Sequence, residues 1–225
     1  MARRPAETRN YHHGDLRAAL LKAATQELAE HGVEGFTLRS CARRAGVSHA
    51  APAHHFGDVT GLLTEVATDA FHRLSATMRV ELERAGHAPG DAPIAAALGY
   101  VLFAIRNPAE FRLMFRNEKL DPSRPGFREA GGEASGLAAS AVGGFYKSAP
   151  PMADPVMVRR VVAFWSLAHG IASLAVAEQL GPIAIGDKVA RALVPDIVRD
   201  HLGLAALNDP KDLRFIARTS EAQRA

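Results

Sequence analysis

Between Thr37 and Phe56 the chain has room for two helices of about two turns each and little else. Leu38 to Ala45 contains neither Gly nor Pro, and Thr37 stands before it as an expected N-cap. Gly46 follows, a residue able to take the left-handed conformation that closes a helix. Val47-Ser48 then opens a second element with Ser48 as its expected N-cap, running from about His49 to Phe56 until Gly57-Asp58 restarts the chain. Two short helices joined by Ala45-Gly46-Val47-Ser48 fit a helix-turn-helix, whose tight turn often contains Gly.

Helical periodicity dominates elsewhere too. Residues 1–13 read as a flexible polar arm carrying Arg3, Arg4, Arg9, His12 and His13. A first helix follows from about Asp15, with Leu16, Leu20, Ala23, Ala24 and Leu28 on one face and His31-Gly32 at its end. Asp58 caps a long fourth helix to about Arg84, and Gly86 to Pro93 is a loop. A fifth helix is expected from Ile94 to Arg106, and a sixth from Pro108 to Phe115, with a loop over 116–126. A seventh runs from Phe127 to Ser148; its five glycines weaken it by about 1 kcal/mol each relative to Ala. It either packs very closely or is the part that moves. An eighth helix opens at Asp154-Pro155 and runs to Leu180, where Gly181-Pro182 stops it. The ninth spans Asp187 to His201, with a kink expected at Pro195. Residues from Asn208 form a polar tail. No segment sustains period-2 alternation, so the expected fold is all-α, with about nine helices: an N-terminal three-helix unit and a C-terminal helical bundle.

Charge adds a weak pointer. Residues 1–56 hold eight Lys/Arg against five Asp/Glu, while residues 57–225 hold nineteen of each. The whole +3 excess therefore sits at the N-terminus, as does a majority of the histidines, which suits a polyanion partner there. A lone Cys41 makes no internal disulfide and fits a reducing compartment. No apolar stretch follows Met1, so no secretory signal is expected and the location expected is cytoplasmic. The longest uncharged run, Val161 to Ala177, is shorter than the roughly 20 residues of a membrane span.

The stretch Thr37-Leu38-Arg39-Ser40-Cys41-Ala42-Arg43-Arg44-Ala45-Gly46-Val47-Ser48, followed by His54-His55-Phe56, resembles the TetR-type helix-turn-helix. The spacing from Gly32 through Phe36-Thr37 and Gly46-Val47-Ser48 to Phe56-Gly57-Asp58 matches that family over about 50 residues. The resemblance implies a DNA-binding domain over 14–60, with the helix-turn-helix at about 37–56, and an effector-binding and dimerisation domain over 61–207.

A recognition helix lies in the major groove with its N-terminal residues near base edges. Those residues here are His49, Ala50 and Ala51, and an Ala methyl can touch a thymine methyl. His54 and His55 can donate to bases or phosphates, although His55 beside Phe56 reads equally as a packing residue. Thr37, Arg39 and Ser48 stand where backbone N–H groups and side chains can meet phosphate, though Thr37 and Ser48 also read simply as caps. Arg43 and Arg44 fit an ordinary solvated face. Cys41 reads as a small buried hydrophobe, with a redox sensor as the alternative. Two departures stand out: the family commonly carries Tyr three residues before the Phe and Lys after the Asp, where this chain has Ala53 and Val59. Both bear on DNA affinity and not on the fold. Pro52 is also unusual, because it falls inside the expected recognition helix.

The eighth helix is apolar nearly all round and must be buried on more than one side. A symmetry-related copy supplies the second side, giving a homodimer through helices eight and nine whose two recognition helices, about 34–36 Å apart, suit a near-palindromic operator in double-stranded DNA. Trp165-(x)3-His169-Gly170, with Phe111 to Phe115 before it, is similar to a subgroup of TetR-type C-terminal domains named for its Trp-His-Gly. An effector pocket among the fifth to eighth helices has Tyr100, Phe103, Met114, Phe115, Phe145, Trp165 and His169 as candidates; each reads also as plain core, and His169 as a hydrogen-bonded core histidine. No metal, cofactor or catalytic motif is present: His12-His13 and His54-His55 are adjacent pairs, which do not share a helix face. The expected function is a DNA-binding transcriptional regulator. The resemblance implies a repressor released from its operator by a small, mostly apolar ligand, with no membrane association and no enzyme activity. The alternative is a helical dimer that binds a small molecule or protein partner and has lost specific DNA binding.

Overall fold

A computed structural model describes residues 13–147, 154–181 and 183–204. The polar arm, except for His13, and the polar tail lie outside the described residues, as do Ser148 and Pro182. All regular elements among the described residues are helical. They are α1 (His13–His31), α2 (Leu38–Ala45), α3 (Ala51–Phe56), α4 (Val59–Arg84), α5 (Asp91–Arg106), α6 (Pro108–Met114), α7 (Pro125–Tyr146), α8 (Pro155–Val176) and α9 (Asp187–Leu202), with one 3-10 turn at Asn117–Lys119.

Local chemistry fixes most of these ends. Thr37 Oγ1 accepts from Ser40 N at 3.0 Å and starts α2. Gly46, at φ +69°, closes it, with Val47 N donating to Ala42 O at 3.1 Å and Gly46 N to Arg43 O at 3.2 Å. Asp58 Oδ1 accepts from Gly61 N at 2.7 Å and starts α4.

Several boundaries differ from expectation, among them the start of α7, which lies at Pro125 and not Phe127, and three have a clear local cause. α3 begins at Ala51, not His49, and Ser48 contributes its backbone carbonyl to Ala51 N (3.0 Å) instead of a side-chain cap. Pro52 explains the shift. Starting at Ala51 places its missing N–H in the first turn, where no intrahelical partner is required. α5 starts three residues early, because Asp91 accepts from Ala88 N (2.9 Å) and Pro93 is tolerated in the first turn. α8 stops at Val176, four residues before Leu180. Glu178 takes φ +56°, and Gln179 N donates to Leu174 O at 2.9 Å, so the closure forms before Gly181 is reached.

α4 runs through the centre. α1 and α3 pack on it, α5, α6 and α7 pack along it, and α8 and α9 cover α5. Leu62, Leu63 and Val66 of α4 are buried in the same core as Leu20 and Leu28 of α1 and Phe56 of α3. Two buried carboxylates brace the rest: Glu110 meets Arg73, and Glu81 accepts from Arg191 at 2.8 and 3.0 Å, tying α4 to α9. At the α4–α5 crossing a Cβ on Gly99 would lie 2.6 Å from Met78 Cα, so only glycine lets the two backbones approach this closely.

The glycines of α7 behave differently. A Cβ on Gly132, Gly136 or Gly144 would meet nothing within 4 Å. Close packing therefore does not account for these three. Opposite outcomes follow for two glycines. Gly136→Ala is expected to stabilise the chain by about 0.5–1 kcal/mol through helix propensity. Gly99→Ala is expected to destabilise it by about 1–3 kcal/mol by forcing α4 and α5 apart. Urea unfolding followed by circular dichroism checks both, and equal signs would contradict the packing described.

Candidate functional site

The helix-turn-helix presents an open polar face. Thr37, Arg39, Ser48, His49, Ala50 and His54 are exposed, while Ala51 and His55 are half-buried. His49 and Ala50 lie in the turn before α3, and His54 and His55 in its last turn. The rings of His54 and His55 meet edge to face at 5.5 Å, and His55 lies 6.1 Å from Phe56. Underneath, Phe36, Cys41, Pro52 and Phe56 are buried. Cys41 Sγ donates to Leu20 O at 3.4 Å, and burial pushes its thiol up to about 11, which leaves it a packed thiol and not a reactive one.

The three arginines of α2 divide into two roles. Arg44 donates to Glu27 Oε1 at 2.5 Å and to Glu30 Oε1 at 2.9 Å, pinning α2 to α1. Arg39 and Arg43, one helical turn apart, are exposed and have no acidic partner among the described residues. The solvated face read from the sequence thus fits Arg43, whereas Arg44 is tied into the fold by its two glutamates. Ala53 is exposed and Val59 is 37% exposed, so the two departures from the family pattern lie at the surface.

A cavity of about 360 Å³ lies between α4, α5, α7 and α8 and is bounded by the end of α6. Tyr100, Met114, Phe115 and Trp165 line it. Phe103 does not: it is buried at the core with the Arg73 guanidinium 6.0 Å from its ring centre. Phe145 does not either, and instead packs on Tyr146 at 4.7 Å near the end of α7. His169 opens onto a smaller neighbouring cleft of about 160 Å³ together with Phe115, Trp165 and Ser166.

Much of the wall was not read from the sequence. α4 supplies Phe71, Leu74 and Met78, and α5 supplies Ala96 and Ala97. α7 turns Phe127, Gly131, Ala134, Ser135 and Ala138 inward at spacings of three and four, and this one-faced run of small residues was the missed signal. Among the described residues, no Asp, Glu, Lys, Arg or His lines this cavity. The residues with a polar group in its wall are Tyr100, Asn117, Ser135 and Trp165.

Tyr100 and His169 form the polar edge of this region. Tyr100 Oη lies 2.8 Å from His169 Nδ1, and the His169 ring packs 4.6 Å from that of Phe115. Burial raises the Tyr100 hydroxyl well above its usual range, partly opposed by Trp165, so it stays protonated and donates. Burial lowers His169, which is therefore neutral and accepts at Nδ1. The unfolded chain then binds a proton more readily than the folded one, and stability falls as pH drops below the ordinary imidazole value of about 6.5. Wild type is expected to exceed His169→Gln by about 1 kcal/mol near neutral pH, from the hydrogen bond to Tyr100. That advantage is expected to shrink as the buffer is acidified. Denaturant melts at several pH values check this, and an advantage that grows on acidification would contradict the neutral assignment.

α8 leaves large apolar side chains open to solvent: Val162, Trp165 and Leu174 are 53%, 44% and 41% exposed. No group of three or more His, Cys, Asp or Glu able to hold a metal occurs among the described residues, and no helix there is long and apolar enough to cross a membrane.

Comparison with known proteins agrees with this geometry. Residues 20–66 match the family model described as bacterial regulatory proteins, tetR family, and residues 93–197 match one described as tetracyclin repressor-like, C-terminal domain. An HTH-type transcriptional regulator of Mycobacterium tuberculosis is 26% identical over 132 residues, 58% of this chain and 54% of that protein; the match thus spans about half the length of this curated relative. A solved protein of unknown function from Rhodococcus sp. RHA1 is 33% identical, with a TM-score of 0.70 over 88% of this chain and 100% of that one. The TetR family transcriptional regulator PfmR from Thermus thermophilus shares the fold at 21% identity, with a TM-score of 0.60 over 81% of this chain and 95% of that one. With both its helix-turn-helix and its C-terminal bundle matched, the chain belongs to the TetR family of bacterial regulatory proteins.

Proposed function

We propose that the chain is a transcriptional repressor that binds a near-palindromic operator as a homodimer and lets go when a small, uncharged, aromatic-rich molecule enters the cavity. The observation that carries the reading is the exposed helix-turn-helix face, on which Arg39 and Arg43 have no acidic partner among the described residues while Arg44 is engaged within the fold. Residues 14–60 serve as the DNA-binding unit and 61–207 as the effector and dimer unit. His49, Ala50 and Ala51 face base edges, with His54 and His55 beside them. Thr37, Arg39 and Ser48 meet phosphates. Such a protein works in the cytoplasm, where its operator is.

The dimer reading draws on the exposed apolar side chains of α8, Val162 and Leu174 among them, which a second copy would cover together with α9. Ligand character follows from the cavity wall. A charged ligand would be desolvated there with no partner of opposite sign, whereas Phe71, Phe115 and Phe127 offer ring edges and faces to a planar apolar molecule. A volume of about 360 Å³ suits a small drug-sized compound. The exposed Ala53 and Val59 favour a second reading, a dimer that binds its ligand but no specific DNA.

Fluorescence anisotropy with duplexes from the chain's own upstream region, at two salt concentrations, tests the first reading. Binding is expected to be selective over a scrambled duplex and to weaken with salt. Arg39→Ala is expected to reduce the log–log salt slope by about 0.9 for one lost phosphate contact. Binding that never exceeds the scrambled control would rule out regulation of that upstream region, and failure to bind any duplex even at low salt would favour the DNA-blind reading. For the ligand, N-phenyl-1-naphthylamine is expected to bind at least about tenfold more tightly than 1-anilinonaphthalene-8-sulfonate, the same ring system bearing an anion. Equal affinity, measured by the fluorescence of either dye, would refute an uncharged-ligand site.

A further inference from the structure

The segment between α6 and α7 touches both the cavity and the helix-turn-helix unit. At one end Phe115 and Asn117 line the cavity; at the other, Phe127 does. Both phenylalanines pack on Phe71 of α4, at 6.1 and 5.6 Å between ring centres. Between those two anchors the segment holds the N-terminal helices at three places. Arg116 Nη2 and Lys119 Nζ each donate to Glu34, between α1 and α2, at 2.9 Å. Asp121 N donates to Thr64 Oγ1 of α4 at 2.9 Å. Arg124 reaches furthest: Nη2 donates to the Phe56 carbonyl at the end of α3 at 3.4 Å, and Nη1 lies 3.4 Å from Glu65 Oε1.

The Phe56 carbonyl is one of the last-turn acceptors that a helix leaves without an internal partner. Gly61 makes the contact sterically feasible. A Cβ there would stand 2.0 Å from Phe56 O and 2.8 Å from Arg124 Nη2, so only glycine on α4 lets the end of α3 and the guanidinium meet. Arg124 lies three residues before the cavity-lining Phe127. Its own contacts are long and part-exposed, the kind that a modest displacement breaks.

We propose that residues 115–127 are a strap that carries the state of the cavity to the helix-turn-helix, with Arg124 the positioning residue that holds the end of α3. The inference rests on the reading of the cavity as an effector site and of α3 as the recognition helix. A molecule that pushes Phe115 and Phe127 outward draws Arg124 off the Phe56 carbonyl and leaves α3 less firmly held. Glu34 and Thr64 keep the rest of the strap attached, so α3 loosens before the two units separate.

Hydrogen exchange on the full-length chain tests this without DNA or an identified ligand. The substitution Gly131→Leu serves as the occupant, because a Cβ there has ordinary contact distances to the Phe71 ring (3.8 Å and beyond) and faces the cavity. Gly131→Leu is expected to speed exchange of amides 54–57 by about threefold or more over wild type, with α5 and α8 unchanged. Arg124→Gln is expected to do the same alone, and Gly131→Leu to add nothing in the Arg124→Gln background. Arg124→Lys is expected to recover part of the protection. Unaltered α3 exchange in Arg124→Gln, no response to Gly131→Leu, or an equal response with either residue at 124 would each overturn the strap. Operator binding plays no part in this readout, so a chain that fails to bind DNA would sink the functional reading while leaving the strap intact.

Discussion

One uninterrupted helix belongs to two cores at once. α4 has 26 residues and spans about 39 Å at 1.5 Å per residue. Its first turns, with Leu62, Leu63 and Val66, complete the core under α1 and α3. Its later turns, with Phe71, Leu74 and Met78, form a wall of the cavity. Neither unit closes its apolar interior without it. Any tilt or rotation of this rod is therefore felt in both places, and Asp58 fixes where the rod begins.

The cavity sits where the bundle pairs large residues with small ones. The aromatic rings of Phe71 on α4, Phe127 on α7 and Phe115 just after α6 share the cavity wall with Ala96, Ala97, Ala134 and Ala168, and the alanines are too small to fill the space the rings leave. Close packing is the rule in protein interiors, so an apolar space of this size is a structural expense that a purely architectural bundle would avoid. Gly99 and Met78 hold α4 and α5 in close backbone contact, which keeps this side of the space from widening.

Legibility from the sequence followed the range of the interactions involved. Thr37, Gly46 and Asp58 were readable because each cap acts within a few residues of itself. The start of α3 was misread because two local signals compete there. Ser48 offers a cap, but Pro52 removes an amide that a helix beginning at His49 would use. The end of α8 was misread for a related reason: Gly181-Pro182 is the stronger written stop, yet Glu178 adopts a left-handed conformation that its residue type disfavours. Tyr100, Met114, Phe115 and Trp165 were found as large residues on helical faces, but the same rule also selected Phe103 and Phe145, which face elsewhere. The small residues of α7 carried a helical spacing that was overlooked, whereas the reach of Arg124 to Phe56 depends on tertiary packing, and no sequence spacing encodes a contact 68 residues apart.

Trp165 is the chain's single tryptophan, and it stands at a crossroads. It borders both the cavity and the small cleft beside His169, and 44% of the residue remains open to solvent. The protein therefore carries its own optical probe where three environments meet. A guest in the cavity would alter the ring's contacts on one side, and a subunit docked on α8 would remove water from the other. The emission of the unlabelled chain should thus register filling and assembly as separate spectral changes, without any reporter being introduced.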